Sequence, residues 1–178
     1  MLRGELTGLR ARLPEDARIL HAELYDDVDT RVRADSRPWT PIPPGPASPY
    51  WAGDEAPGAA DTAVFSVVEL ATGELAGEAL LWGIDVHNRL AHIGISLRPV
   101  CRGRGLGADA VRVLCRYGFA IRGLHRLQFE TLADNHPMIG IASRVGFTRE
   151  GVTRASDWVN GSFMDCVIFG MLEDEFPR

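Results

Sequence analysis

The chain has 178 residues, 46% of them apolar, with a formal net charge of −5. That length suffices for one domain with a substantial core, burying roughly 70% of the unfolded surface. The acidic balance argues against a general nucleic-acid or membrane-surface binder, and no segment approaches the roughly 20 apolar residues of a membrane helix. Mild acidity reads first as plain solubility, and also suits a cationic substrate such as an amine.

From the N-terminus, Leu9, Ala11 and Leu13 alternate with Arg10 and Arg12, a period of two that predicts a strand over Leu6–Leu13. Pro14-Glu15-Asp16 then reads as a helix start, with Ala17, Leu20, His21 and Leu24 on one face. No apolar stretch follows the basic start, so no signal peptide is expected. Trp39 to Gly58 holds six prolines, a density that forbids helix interior and central strand. It is a linker, or a loop that packs through Tyr50-Trp51 against a cleft.

From Thr62 the pattern changes. Ala63–Leu70 and Leu75–Leu81 form a hairpin about Ala71-Thr72-Gly73-Glu74, and Ala91–Leu97 makes a third antiparallel strand. Arg102-Gly103-Arg104-Gly105-Leu106-Gly107 comes next. A helix then runs from Ala108 to about Arg122, closed by Gly123. Leu127–Leu132 is a strand and Asn135–Val145 a short helix. Phe147–Val152 and Cys166–Leu172 are the last strands, with Asn160-Gly161 turning the closing hairpin. The expected fold is a single α/β domain over residues 1–178, with a mostly antiparallel mixed sheet and one parallel β-α-β pair.

The glycine turn is the most specific feature. Three glycines in five positions leave main-chain amides uncrowded just before an apolar helix, whose first turn adds the positive end of its dipole. Arg102 and Arg104 add charge, so a phosphate or pyrophosphate is the expected ligand; a plain flexible loop is the alternative. The turn lacks the Gly-Lys-Ser/Thr ending of a nucleoside-triphosphate loop. Gly103-x-Gly105-x-x-Ala108 satisfies a loose dinucleotide fingerprint, but the preceding strand closes a meander rather than opening a βαβ unit.

Arg102-x-x-Gly105-x-Gly107 resembles the R/Q-x-x-G-x-G/A signature of the GNAT acetyltransferase superfamily, which binds acetyl-CoA. Gly123-Leu124-His125-Arg126, Asn135, Val145-Gly146-Phe147, Asn160-Gly161 and Asp165 succeed it in an order similar to the subgroup that acetylates N-termini of ribosomal proteins. The resemblance covers most of the chain and is weakest over Arg31–Asp61. It implies that the backbone of Ile95, Ser96 and Leu97 pairs with the pantetheine arm. It further implies that Arg102, Gly103, Arg104, Gly105, Leu106, Gly107 and Ala108 wrap the pyrophosphate, and that Asn135 bonds the cofactor near its thiol. An N-cap is Asn135's other reading. The implied reaction moves an acetyl group from acetyl-CoA to a primary amine, a protein N-terminus or a small molecule. The runner-up is a non-catalytic acyl-CoA sensor.

Acyl transfer needs a neutral amine, a polarised carbonyl and a stabilised oxyanion. His92 and Glu130 occupy strand positions where relatives carry a glutamate, so both are candidate bases. The alternative for His92 is a polar strand residue; for Glu130 it is a solvent-facing side chain or an ion pair with Arg126. The tyrosine acid of relatives is replaced by Ile141 and Ala142, leaving Ser143, water or an unassisted thiolate. Cys101, Cys115 and Cys166 are odd in number and widely spaced, without metal-ligand spacing, and Cys101 and Cys166 lack an adjacent activating base. A reduced, cytoplasmic protein without metal is expected. Asp157, Trp39, Trp51 and Trp82 are candidates for lining the acceptor cleft, and a homodimer is implied by resemblance alone.

Overall fold

The computed structural model describes residues 1–51 and 61–177. Its strands are β1 (Leu2–Arg3), β2 (Thr7–Arg10), β3 (Thr62–Glu69), β4 (Leu75–Asp85), β5 (Leu90–Leu97), β6 (Arg126–Leu132), β7 (Thr148–Val159) and β8 (Ser162–Leu172). They form one sheet in the order β1-β2-β3-β4-β5-β6-β8-β7. Among the described residues only β5 and β6 pair in parallel; every other neighbouring pair is antiparallel. The α/β class and the single parallel β-α-β step are as the sequence predicts.

Alternation gives the sheet two different faces. Val67, Ala79, Leu81, Ala91, Ile93, Leu127 and Phe129 join one apolar core with α3 (Leu106–Arg116) and α4 (His136–Val145). Leu114 and Leu127 have no exposure, and such burial contributes about 1.5–3 kcal/mol per side chain. The opposite face is partly covered by α1 (Pro14–Leu20), which runs on into a π-helical turn at His21–Tyr25. There Leu20, Leu24, Tyr25, Tyr50 and Leu75 make a second, smaller core. Beneath α1, Ser66 donates to Asp16 at 2.7 Å and Arg12 pairs with Glu78 at 2.5 Å.

Several elements differ from expectation. β1 and the helix α2 (Val28–Ala34) have no counterpart in the sequence reading. Helix α2 buries no residue, so it carries no apolar stripe to read. Strand β7 extends to Val159, seven residues past the expected end at Val152. Residues 39–51 contain neither helix nor strand, as the prolines dictate. This stretch packs rather than trails: Tyr50 is 3% exposed, and the Trp39 indole donates to the Tyr25 carbonyl at 3.0 Å. Residues 52–58 of the proline-rich segment lie outside the described residues.

Candidate active site

β5 and β6 share a ladder only at Leu90↔Arg126, Ala91↔Leu127 and His92↔Gln128. Beyond that point β5 stays paired to β4 as far as Leu97, and β6 to β8 as far as Leu132. The two central strands therefore diverge into a wedge. Along its β5 wall, the main chain of Ile93–Leu97 has no strand partner on the β6 side among the described residues. Unpaired strand edge in a sheet's interior is costly unless something completes it.

The wedge leads to the glycine turn. Gly103 (φ 74°) and Gly105 (φ 82°) lie in the left-handed region, which L side chains enter at a cost of about 1–2 kcal/mol. Gly105 caps α3 without a side-chain acceptor. The first helical bond runs from Asp109 N to the Gly105 carbonyl at 3.3 Å, so the amides of Leu106, Gly107 and Ala108 have no partner within the helix. These amides and the dipole behind them make a ready anion cradle. Gly107 serves a different end: a Cβ there would sit 2.9 Å from Ile141 Cδ1, so glycine brings α3 close to α4.

The helix start is held from below. The buried Asp109 carboxylate accepts from Glu5 N (3.1 Å), Leu6 N (3.0 Å), Thr7 N (2.8 Å) and Thr7 Oγ1 (2.7 Å). Burial alone would raise its pKa; the bonds from Thr7, Leu6 and Glu5 outweigh it and hold the group below the usual aspartate value. Arg102 and Arg104 are exposed at the turn, but Arg102 Nε donates to the Leu97 carbonyl at 3.0 Å and Arg104 pairs with Glu69. Across the wedge, Asn135 caps α4, accepting from Met138 N at 3.3 Å and donating to Thr131 Oγ1 at 2.9 Å. Its N-cap role is thus realised.

On the α1 side of the sheet, His92 and Glu130 come together as the strand registers require. His92 and Gln128 are opposite one another, and Glu130 lies two residues on, on the same face. Gln128 Nε2 lies 3.0 Å from His92 Nε2, so with the amide in this orientation Gln128 donates and the imidazole accepts. Trp82 stacks on the His92 ring at 4.1 Å between centroids. Burial holds the His92 pKa below its ordinary value; Glu130 pulls it up and Arg126 pushes it down. The ring is neutral at neutral pH. Glu130 itself is exposed, and Arg126 pairs with Glu150 rather than with it.

The sequence left Asp157 as one of several cleft candidates; the structure gives it a place. The β7–β8 register shifts between Thr153 and Asp157, and Ala155 takes φ 49° while its N–H donates to Asp165 at 2.8 Å. Ser156 Oγ donates to Asp157 Oδ2 at 2.6 Å. This bulge turns Asp157 toward Cys166, whose thiol is pushed up to about 12 by burial first and then by Asp157 and Glu130. Such a thiol is no nucleophile at neutral pH. Ile141 and Ala142 pack in the core, and Ser143 is exposed on α4. No His/Cys/Asp/Glu group among the described residues is arranged to hold a metal ion.

Residues 7–148 match the family model of the acetyltransferase (GNAT) domain. The chain belongs to the GNAT acetyltransferase family. It is 30% identical over 112 residues to the uncharacterized N-acetyltransferase p20 of Bacillus licheniformis, a match covering 63% of this chain and 63% of that protein. It is 27% identical over 104 residues to the spermidine N(1)-acetyltransferase of Escherichia coli K12, covering 58% of this chain and 56% of that protein. The match thus spans less than two thirds of these relatives. Among solved structures, one described as a probable acetyltransferase superposes with a TM-score of 0.79 at 25% identity, covering 97% of this chain and 96% of that one. RimJ of Mycobacterium smegmatis, solved with CoA-disulfide, shares the GNAT fold at a TM-score of 0.76 and 19% identity, over 97% of this chain and 84% of that one.

Proposed function

We propose that this GNAT protein transfers an acetyl group from acetyl-CoA directly to a primary amine. The observation that carries the reading is the unpaired β5 edge at Ile93–Leu97, which runs straight to the partnerless amides of Leu106, Gly107 and Ala108. A pantetheine arm would complete the edge as a strand does, and its pyrophosphate would meet the helix start. The backbone of Ile95, Ser96 and Leu97, the turn from Arg102 to Ala108, and Asn135 form the proposed cofactor site. Arg102 and Arg104 reach it by exchanging their present partners, Leu97 O and Glu69, for phosphate.

The acceptor enters from the α1 face, where Glu130 and Asp157 favour a cationic ammonium. Glu130 is exposed and free to take a proton through water, so it is the proposed base. His92 is the second candidate for the same task, but its Nε2 becomes available only when Gln128 swings away. Nucleophilic amine then attacks the thioester carbon, the oxyanion forms against main-chain amides of the β5 edge, and the tetrahedral intermediate expels the thiolate of CoA. No covalent enzyme intermediate is needed, in keeping with buried, high-pKa Cys166 and Cys115.

The finer reading is a CoA-dependent enzyme of the cytoplasm, without metal, acting on peptide N-termini or small amines and able to pair as a homodimer. Thiol release measured across peptide N-termini, polyamines and aminoglycosides tests it. CoA release that depends on one amine class is expected. Binding of acetyl-CoA with no turnover on any amine would favour a sensor instead.

A further inference from the structure

The α1 face of the sheet is only half covered. Around Ser66 and Glu78 it is closed by α1 and Tyr50, and Ser66 has no exposure. One row further along, the cover given by the described residues ends. Val64 of β3 lies opposite Leu80 of β4, and Leu80 opposite Gly94 of β5; the next row is Thr62, Trp82 and His92. Val64 is 41% exposed and Trp82 47% exposed. Gly94 leaves room for the Leu80 side chain, because a Cβ there would lie 2.8 Å from Leu80 Cδ2. The result is a contiguous apolar strip, Val64–Leu80–Trp82, that ends against the His92 ring, beside which Glu130 stands on the neighbouring strand. Isolated exposed apolar residues are commonplace, but a joined strip leading into a polar pocket marks a binding surface.

We propose that this strip is the subsite for the portion of the acceptor behind its amine, and that it selects a polypeptide N-terminus with apolar side chains near its start. The inference rests on the acetyltransferase reading above and adds the substrate's chemistry. With the ammonium beside Glu130, Trp82 lies two strands away, roughly 10–12 Å at the usual strand spacing and rise. An extended peptide covers about 3.3 Å per residue, so its third or fourth residue reaches Trp82. A linear polyamine would need further carboxylates along that path. Among the described residues none stands in the strip, and Glu78, two residues from Leu80 along β4, is already paired with Arg12. The pocket's negative charge matches one ammonium, and the strip matches the apolar side chains that trail behind it.

The test compares three acceptors with acetyl-CoA: a free-N-terminal hexapeptide bearing Leu or Phe at positions three and four, the same peptide with Ser there, and spermidine. Wild type should prefer the apolar peptide. Trp82→Ala should cost that peptide about tenfold in kcat/KM, mainly through KM, and cost the Ser peptide several-fold less. Val64→Glu stands clear of His92 and should weaken the apolar peptide while improving spermidine, a gain no misfolded variant can show. Equal rates on the two peptides, or equal loss on all acceptors in both variants, would overturn the subsite. Tryptophan fluorescence separates the two levels. If nothing is acetylated but the apolar peptide alone perturbs the emission of wild type and not of Trp82→Ala, the subsite stands and catalysis falls. Neither turnover nor binding overturns both.

Discussion

Replacing Asp109 by Asn should unfold the protein more easily without changing its shape. Three of the four donors that Asp109 receives, from Leu6 N, Thr7 N and Thr7 Oγ1, converge on Oδ2, and only Glu5 N reaches Oδ1. A side-chain amide can offer one oxygen, so whichever way the introduced asparagine turns, its NH2 faces at least one donor. Losing a charge-assisted bond in a buried setting costs about 1.5–3 kcal/mol, and that is the expected loss. Urea unfolding should show a lower midpoint at constant slope. The pH dependence is a second check. The folded pKa of Asp109 lies below its unfolded value, despite burial, because of the bonds from Thr7 and its neighbours. Its contribution is therefore complete above the unfolded pKa of about 3.9 and disappears as pH falls through the lower folded pKa. The gap between wild type and variant should be full at pH 7 and close in strong acid. An unchanged midpoint, or a gap that persists at low pH, would refute this account of how the helix start is held.

Other substitutions separate cofactor binding from chemistry. Gly105→Glu puts a side chain at φ 82° and a carboxylate at the cradle; it should cost about 1–2 kcal/mol of stability and abolish acetyl-CoA binding in calorimetry. Glu130→Gln should lower kcat by about 10²–10⁴ with acetyl-CoA affinity intact, measured by thiol release on the preferred amine. Cys166→Ser should retain turnover, and the wild-type Cys166 thiol, pushed up to about 12, should resist iodoacetamide at pH 7.5 in mass spectrometry.

What the chain reveals before folding is what local chemistry encodes. The glycine turn, the Asn160-Gly161 hairpin with φ 46° and 89°, and the Pro14 helix start are written in neighbouring residues, and the structure obeys them. Helix α2 escaped because its side chains look outward: Arg33 pairs with Asp134 and Asp29 accepts from Asn160, contacts that no periodicity announces. Asp157 was one cleft candidate among several because a bulge spanning Arg154 to Ser156 breaks the alternation that tells inward from outward. The His92–Gln128 bond and the open strip at Trp82 depend on sheet order, which joins residues far apart in sequence. Of the proposed cofactor residues, the turn was legible from its glycines, whereas the wedge that leads to it becomes visible only when β5 and β6 are seen to part after His92.

That wedge can be probed residue by residue. Backbone amide NMR of the uniformly labelled protein, titrated with acetyl-CoA, should shift the amides of Ile93–Leu97 and Leu106–Ala108 first and most strongly, with slowed hydrogen exchange at both. Saturating acetyl-CoA that leaves these amides unmoved, or shifts only residues elsewhere, would contradict the claim that the parted strands and the helix start hold the thioester cofactor.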